Sequence, residues 1–128
     1  MILDSSAIVA MVLREPDCEL LLAKVGEARA MGVGSPTLVE TSILLSARLA
    51  IDSQGLVARF VQEVDVSIIP FDEAHHTAAH QAWLRFGKGR HPAALNFGDC
   101  LTYATARLAA EPLLCTGDDF AQTDLELA

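Results

Sequence analysis

Cysteine, aromatic residues and long apolar runs are all scarce in this chain of 128 residues. The three cysteines are odd in number and form no CxxC pair, which argues against a disulfide framework or a zinc knuckle and favours buried free thiols. No apolar run approaches the roughly 18 residues that a membrane-spanning helix needs. The N-terminus lacks the basic segment of a secretory signal. We therefore expect a cytoplasmic protein without a membrane partner.

Basic residues are also few. Nine lysines and arginines face 17 aspartates and glutamates, which gives a formal net charge of −8 at pH 7. This balance argues against broad electrostatic binding of nucleic acid, but it is compatible with an acidic metal site or a basic protein partner. With 52% hydrophobic and 20% charged residues, the composition is that of a globular protein, and the length predicts a single domain over residues 1–128.

Short strand-like runs alternate with longer helical patterns. The strand-like runs lie at residues 1–3, 31–34, 66–70 and 113–115, with a candidate edge strand at 125–127. Helical patterns fill the intervals, and this alternation predicts an α/β fold with a mainly parallel, short-stranded sheet flanked by helices.

Helix caps are predicted from serine, asparagine and proline. Ser5 or Ser6 is expected to cap the first helix, and Ser35 is expected to cap the helix that begins at Pro36. A later helix is expected to begin at Asn96 or Gly98.

Four acidic residues are predicted to meet at one edge of this sheet. Strands of a parallel sheet end at the edge where the following helices begin, and ligands bind there. Asp4 and Asp118 follow the first and last strands, while Glu40 and Asp99 lie early in helices. Asp119 is an alternative to Asp118. The simpler alternative for each acid is a helix-stabilising or solvated carboxylate.

Glu40 is the acid whose surroundings most need an explanation. Ile43 and Leu44 stand three and four residues further on, so we expect Glu40 on the apolar core face of its helix, where an unpaired acid is costly. Four gathered carboxylates would repel one another. A hard divalent cation removes that penalty and activates water as a nucleophile.

Four motifs resemble those of the PIN-domain ribonucleases, and among them the VapC toxins of bacterial toxin–antitoxin pairs. In chain order the motifs are MILDSSA at 1–7, SPTLVET at 35–41, NFGDCLTYA at 96–104 and LLCTGDDF at 113–120. The resemblance implies a PIN-like three-layer α/β/α fold and an endoribonuclease that uses Mg²⁺ or Mn²⁺. It also implies a homodimer, and a VapB-type antitoxin that neutralises the toxin by placing its C-terminal segment in the active site.

The resemblance also implies roles for individual residues. Asp4 and Asp99 would bear most directly on the metal, while Glu40 and Asp118 would hold water and help deprotonate it. The residues that would orient carboxylates or the scissile phosphate are Ser6, Asn96 and Thr116.

Further residues invite a functional interpretation. A basic group before Asp99 is a candidate for contact with the RNA backbone, although a solvated loop is the simpler explanation; it comprises Arg85, Lys88 and Arg90. Trp83 and Phe86 are expected in the core. A catalytic zinc site at His76 and His80 is disfavoured, because Thr77 stands where the metalloprotease pattern has glutamate.

Two other functions remain as alternatives. A magnesium-dependent phosphatase of the haloacid dehalogenase type needs a second acid two residues after the first, and Ser6 occupies that position. A catalytically silent PIN fold that only binds protein is opposed by the acids at all four positions.

Overall fold

The computed structural model describes residues 1–128. Four short parallel strands form one sheet in the order β3-β2-β1-β4, and they comprise β1 Ile2–Leu3, β2 Met31–Gly34, β3 Val66–Ile69 and β4 Leu113–Leu114. The six helices are α1 Ser5–Val12, α2 Cys18–Glu27, α3 Ser35–Leu49, α4 Gln54–Glu63, α5 Glu73–Phe86 and α6 Phe97–Ala109. The predicted α/β fold with a parallel sheet is confirmed.

The sheet has a hydrophobic core on each face, because successive side chains of a strand point to opposite sides. In β1, Ile2 packs with residues of α5 and α6, whereas Leu3 packs with residues of α1 and α2. Leu113 and Leu114 of β4 divide in the same way. The protein is therefore a three-layer α/β/α sandwich.

The C-terminal residues extend the sheet less than predicted. A short 3₁₀ helix, Phe120–Gln122, follows β4. The candidate edge strand at 125–127 is reduced to a single bridge between Leu127 and Leu113.

Two helix caps differ from the prediction. Asp4, rather than Ser5 or Ser6, caps α1, because its extended backbone lets its carboxylate accept the N–H of Ser6 at 3.0 Å. Gly34, rather than Ser35, precedes α3. Asn96 is the cap of α6, as the sequence allowed.

Helix α3 buries a mainly polar face. Its buried residues are Thr37, Thr41 and Leu45, whereas Ile43 is 63% exposed. The prediction that Ile43 and Leu44 form the core face is therefore wrong. The buried hydroxyls are satisfied locally, since Thr41 Oγ1 donates to the Thr37 carbonyl oxygen at 2.8 Å. The helix thus packs through threonines and leaves its apolar side at the surface.

The remaining fold predictions concern thiols and membranes. All three cysteines are free, with Cys18 and Cys100 buried and Cys115 half-buried. The helices are too short or too polar for any of them to span a bilayer.

Candidate active site

Asp4 lies buried at the carboxyl edge of the sheet. Its backbone N–H donates to the carbonyl oxygen of Leu114 at 2.9 Å, which holds the end of β1 beside β4. Its Oδ2 accepts the backbone N–H of Ser6 at 3.0 Å and the Ser6 hydroxyl at 2.6 Å. No buried side-chain oxygen or nitrogen atom of the chain lacks a hydrogen-bond partner.

Ser6 joins the ends of the neighbouring strands β1 and β4 at this edge. Its hydroxyl donates to Asp4 and accepts the backbone N–H of Thr116 at 3.0 Å. Thr116 follows β4, so one hydroxyl fixes the Asp4 carboxylate relative to the turn that carries the last acids. This geometry suits the orienting role that the resemblance implies for Ser6, and Thr116 contributes its backbone N–H.

Glu40 reaches the same edge from α3. Its carboxylate lies against Gly98 in the first turn of α6. Burial raises the pKa of Glu40, a hydrogen-bonding interaction with the Ser5 side chain lowers it, and the negative charge of Asp4 raises it further. Glu40 is therefore partly desolvated and close enough to Asp4 for their charges to oppose one another.

Asp99 is held by the cap of α6. Its backbone N–H donates to Asn96 Oδ1 at 2.9 Å, and its Oδ2 accepts the backbone N–H of Asn96 at 2.9 Å. Burial raises the pKa of Asp99 to about 6 against the opposing hydrogen bond from Asn96, and the charges of Asp4, Asp119 and Glu40 add to the increase. Three acids from distant parts of the chain thus act on one carboxyl group.

The last acidic position lies in the turn after β4. Asp118 and Asp119 are both exposed. The charge of Asp119 raises the pKa of Asp99 and that of the Cys115 thiol, and Asp118 is not among the charges that do so. The Asp119 carboxylate therefore lies close enough to Asp99 for its charge to act on it, and Asp118 and Asp119 both remain predictions for this position.

The donor set suits a hard divalent cation. Asp4, Glu40 and Asp99 offer only oxygen atoms, and none of them forms a salt bridge with a basic residue. The structure contains no group of three or more histidine, cysteine, aspartate or glutamate side chains that could hold a metal ion. Mg²⁺ keeps several waters and is bound through one or two carboxylates, so these acids fit that type of site and not a closed zinc cage.

The basic group before α6 is only partly free for a ligand. Arg85 Nη2 lies 3.1 Å from Asp124 Oδ2, and its guanidinium also covers the Phe86 ring at 4.6 Å. Lys88 is exposed and forms no salt bridge. Of the three predicted RNA contacts, Lys88 is therefore the one whose charge has no acidic or aromatic partner in the protein.

The aromatic residues of α5 differ in burial. Phe86 is buried, as predicted, but Trp83 is 41% exposed, so its assignment to the core is wrong. The Arg90 guanidinium lies 4.4 Å from the centre of the Trp83 ring and forms a cation–π contact with it. This contact gives the exposed ring a partner without burial.

The histidines of α5 serve the helix or face solvent. His75 is buried, its Nδ1 lies 2.7 Å from Asp72 Oδ1, and the pair completes the capping box of α5. His76 and His80 are exposed.

Two residues of the site are predicted from the sequence only as possible helix starts and not as site residues. Ser5 lies beside Glu40, and Gly98 provides the surface on which the Glu40 carboxylate rests. The available signal for Gly98 was a glycine inside a predicted helix, where it is unfavourable without a packing reason.

Comparisons with known proteins show the family and the fold. The family model described as PIN domain matches residues 1–125. Ribonuclease VapC36 of Mycobacterium tuberculosis is 46% identical over 127 residues, an alignment that covers 98% of this chain and 91% of the relative. Ribonuclease VapC of Mycolicibacterium smegmatis is 35% identical over 125 residues, covering 98% and 97%. The chain therefore belongs to the PIN-domain family and, within it, to the VapC ribonucleases.

Solved structures show the same fold at low identity. The crystal structure of VapC20 of M. tuberculosis, described as a Sarcin-Ricin loop cleaving toxin, gives a TM-score of 0.81 at 15% identity and covers 99% of this chain and 97% of that chain. A toxin-antitoxin complex from Klebsiella pneumoniae gives 0.73 at 13% identity, covering 99% and 95%. At these identities the likeness establishes the three-layer fold alone.

Proposed function

We propose that this protein is the toxin of a toxin–antitoxin pair and an endoribonuclease that depends on Mg²⁺ or Mn²⁺. The observation that supports this most is the placement of three carboxyl groups at the carboxyl edge of the sheet, where the charge of Asp4 acts on both Glu40 and Asp99. Such uncompensated charge is destabilising unless a cation binds. The relatives named VapC ribonucleases support RNA as the substrate.

The acids divide the work of hydrolysis. Asp4 and Asp99, the two most firmly fixed carboxylates, would hold the cation. A divalent cation at this site supplies a water of lowered pKa and stabilises the charge that develops on a phosphate oxygen. Glu40 and Asp119, with Asp118 as the alternative, accept hydrogen bonds from water and take up its proton.

The orienting residues act through hydrogen bonds. Ser6 fixes Asp4, and Asn96 fixes Asp99. The backbone N–H of Thr116 fixes the Ser6 hydroxyl in turn. Substitution of such supporting residues typically costs 10- to 100-fold in metal affinity or activity, so we expect about this loss for Ser6→Ala.

RNA cleavage by the purified protein tests the proposal. Cleavage should require Mg²⁺ or Mn²⁺, stop on addition of a chelator, and be lost in Asp4→Asn and Asp99→Asn. Asp17→Asn is the control, because Asp17 is an exposed acid at the start of α2 that caps nothing with its side chain. Cleavage by the two site variants at the wild-type rate would disprove the assigned mechanism.

Lys88 is the basic residue that we propose contacts the RNA backbone. Arg85 and Arg90 already have protein partners, so their contributions should be smaller. Lys88→Ala should weaken binding of all RNA sequences alike and reduce the salt dependence of binding. An unchanged salt dependence would remove Lys88 from the RNA interface.

The proposed partner is a cognate VapB-type antitoxin in the cytoplasm. A net charge of −8 fits a basic partner segment, and the acidic site is its natural target. Expression of the chain alone should arrest growth, and co-expression with the product of a short neighbouring reading frame should restore growth and yield a stable complex. Normal growth with the chain alone would contradict a toxin.

A homodimer is supported by exposed apolar residues beside the site. Phe97 is 80% exposed, Val39 60% and Ile43 63%, and these residues line one groove between α3 and α6. Contiguous exposed apolar surface commonly marks a protein interface. Light scattering should give a dimer mass for wild type and a monomer mass for Ile43→Asp.

A further inference from the structure

Helix α3 and Gly34, the β2 residue that precedes it, approach α6 through three successive contacts between small or polar residues. A Cβ atom on Gly34 would lie 2.7 Å from Thr105 Oγ1, and Thr37 Oγ1 lies 3.1 Å from Thr102 Oγ1. One turn further along α3, the Glu40 carboxylate rests on Gly98. The α3–α6 seam therefore pairs Gly34 with Thr105, Thr37 with Thr102, and Glu40 with Gly98.

The last contact of the seam differs from the others because it places a carboxylate against bare backbone. A Cβ atom on residue 98 would lie 3.0 Å from both Cδ and Oε2 of Glu40, and closer still to Oε1. All three crowded atoms belong to the end of the Glu40 side chain, so a side chain at position 98 displaces the Glu40 carboxylate from α6.

The backbone itself does not require glycine at this position. Gly98 is the second residue of α6, and its φ is not among the positive values of the chain. Glycine within a helix is less favourable than alanine. Space for Glu40 is therefore the reason that the structure offers for Gly98.

We propose that Gly98 is a positioning residue: its missing side chain lets the Glu40 carboxylate lie against the first turn of α6, next to Asp99. This inference rests on the proposed function, since it concerns how Glu40 reaches the metal site. It extends that function by making the packing of α3 on α6 set the distance between two of the acids.

Thermal unfolding of the metal-free full chain tests the contact without any enzyme assay. Gly55 provides a matched control, because it is the second residue of α4 and a Cβ there would meet nothing within 4 Å. Gly55→Ala should raise Tm by about 2–4 °C through helix propensity. Gly98→Ala should not raise Tm in wild type, but should raise it as Gly55→Ala does when Glu40 is alanine.

A glutamine at position 40 separates shape from charge. Gly98→Ala should likewise fail to raise Tm in Glu40→Gln, because the amide has nearly the same shape as the carboxylate. An equal rise in Tm from Gly98→Ala in the wild-type, Glu40→Gln and Glu40→Ala backgrounds would overturn the proposal.

Mn²⁺ affinity and RNA cleavage test the consequence for the site. Gly98→Ala should reduce cleavage at least tenfold, and the double variant Glu40→Ala/Gly98→Ala should cleave no more slowly than Glu40→Ala alone. Mn²⁺ affinity should follow the same non-additive pattern. Full activity and affinity in Gly98→Ala would refute the positioning role and leave the proposed function intact. If wild type cuts no RNA, the proposed function fails, and the Tm comparison and Mn²⁺ affinity still decide the role of Gly98.

Discussion

Two acidic residues, Asp124 beside α6 and Asp99 in the first turn of α6, have opposite surroundings. Asp124 accepts the Tyr103 hydroxyl at 2.7 Å and lies 3.1 Å from Arg85 and 4.0 Å from Arg107. Asp99 has other carboxylates around it and no basic partner. The negative charge of Asp124 is therefore compensated by basic residues, whereas that of Asp99 is not.

The pKa values follow these surroundings. Burial raises the pKa of Asp124, but the Tyr103 hydroxyl and the Arg85 charge lower it below its ordinary value. Burial and three acids instead raise the pKa of Asp99 to about 6. Asp124 therefore stabilises the fold, whereas Asp99 costs stability that a bound cation would restore, a pattern that favours function at the second place.

The largest contrast is expected in catalysis. Asp99→Asn should reduce RNA cleavage at least 100-fold, the upper range for residues that only support metal ligands. Asp124→Asn should cleave within about threefold of wild type, because Asp124 binds neither cation nor RNA in the proposed mechanism. Single-turnover cleavage with Mn²⁺ measures both, and equal losses in the two variants would dissolve the distinction between them.

Cation binding should stabilise only the protein that retains its uncompensated acids. At a cation concentration 100 times its Kd, stabilisation is about 2.7 kcal/mol, or roughly 10 °C in Tm for a domain of this size. Wild type and Asp124→Asn should show this shift with Mn²⁺ and lose it with a chelator. Asp99→Asn should show little shift, and a full shift in that variant would place the cation elsewhere.

The compensated network should matter for stability alone. Asp124→Ala leaves the hydroxyl of Tyr103, a residue only 3% exposed, without its acceptor. We expect a loss of about 1–2 kcal/mol in the free energy of unfolding. Tyr103→Phe removes donor and contact together, so it should cost less, and denaturant unfolding measures both. A larger loss for Tyr103→Phe would contradict this account.

Topology made much of the site predictable. Asp4 and Asp99 follow from the rule that strands end and helices begin at one edge of a parallel sheet. The sequence also predicts the strand Met31–Gly34 and offers Asn96 as the cap of α6. These features depend on residues that are close together in the sequence, so the pattern of residue types along the chain predicts them.

Contacts between distant segments were not predictable in the same way. Three features depend on how the helices and strands pack against one another. They are the choice of the buried face of α3, the contact of the Glu40 carboxylate with Gly98, and the electrostatic effect of Asp119 on Asp99. Apolar periodicity failed at Ile43 because the buried face of α3 is built from hydrogen-bonded threonines. Periodicity indicates where apolar side chains lie, but it does not tell a core from an exposed interface.

The smallest expected effect is the pH dependence of the metal-free protein. Between the ordinary pKa of 3.8 and the folded value of about 6, native Asp99 holds a proton that the unfolded chain has released, so stability falls as pH rises. The full shift corresponds to about 3 kcal/mol, and solvent screening of this partly exposed group reduces it to about 1 kcal/mol.

Asp124 acts in the opposite sense, because its lowered pKa gives stability that is lost as pH falls below its ordinary value. The free energy of unfolding should be measured in chelator from pH 4 to 7. As the pH rises, wild type should lose stability relative to Asp99→Asn. Wild type should also lose stability relative to Glu40→Gln, because the pKa of Glu40 is raised as well. Parallel curves for wild type and Asp99→Asn would show that folding does not raise the pKa of Asp99.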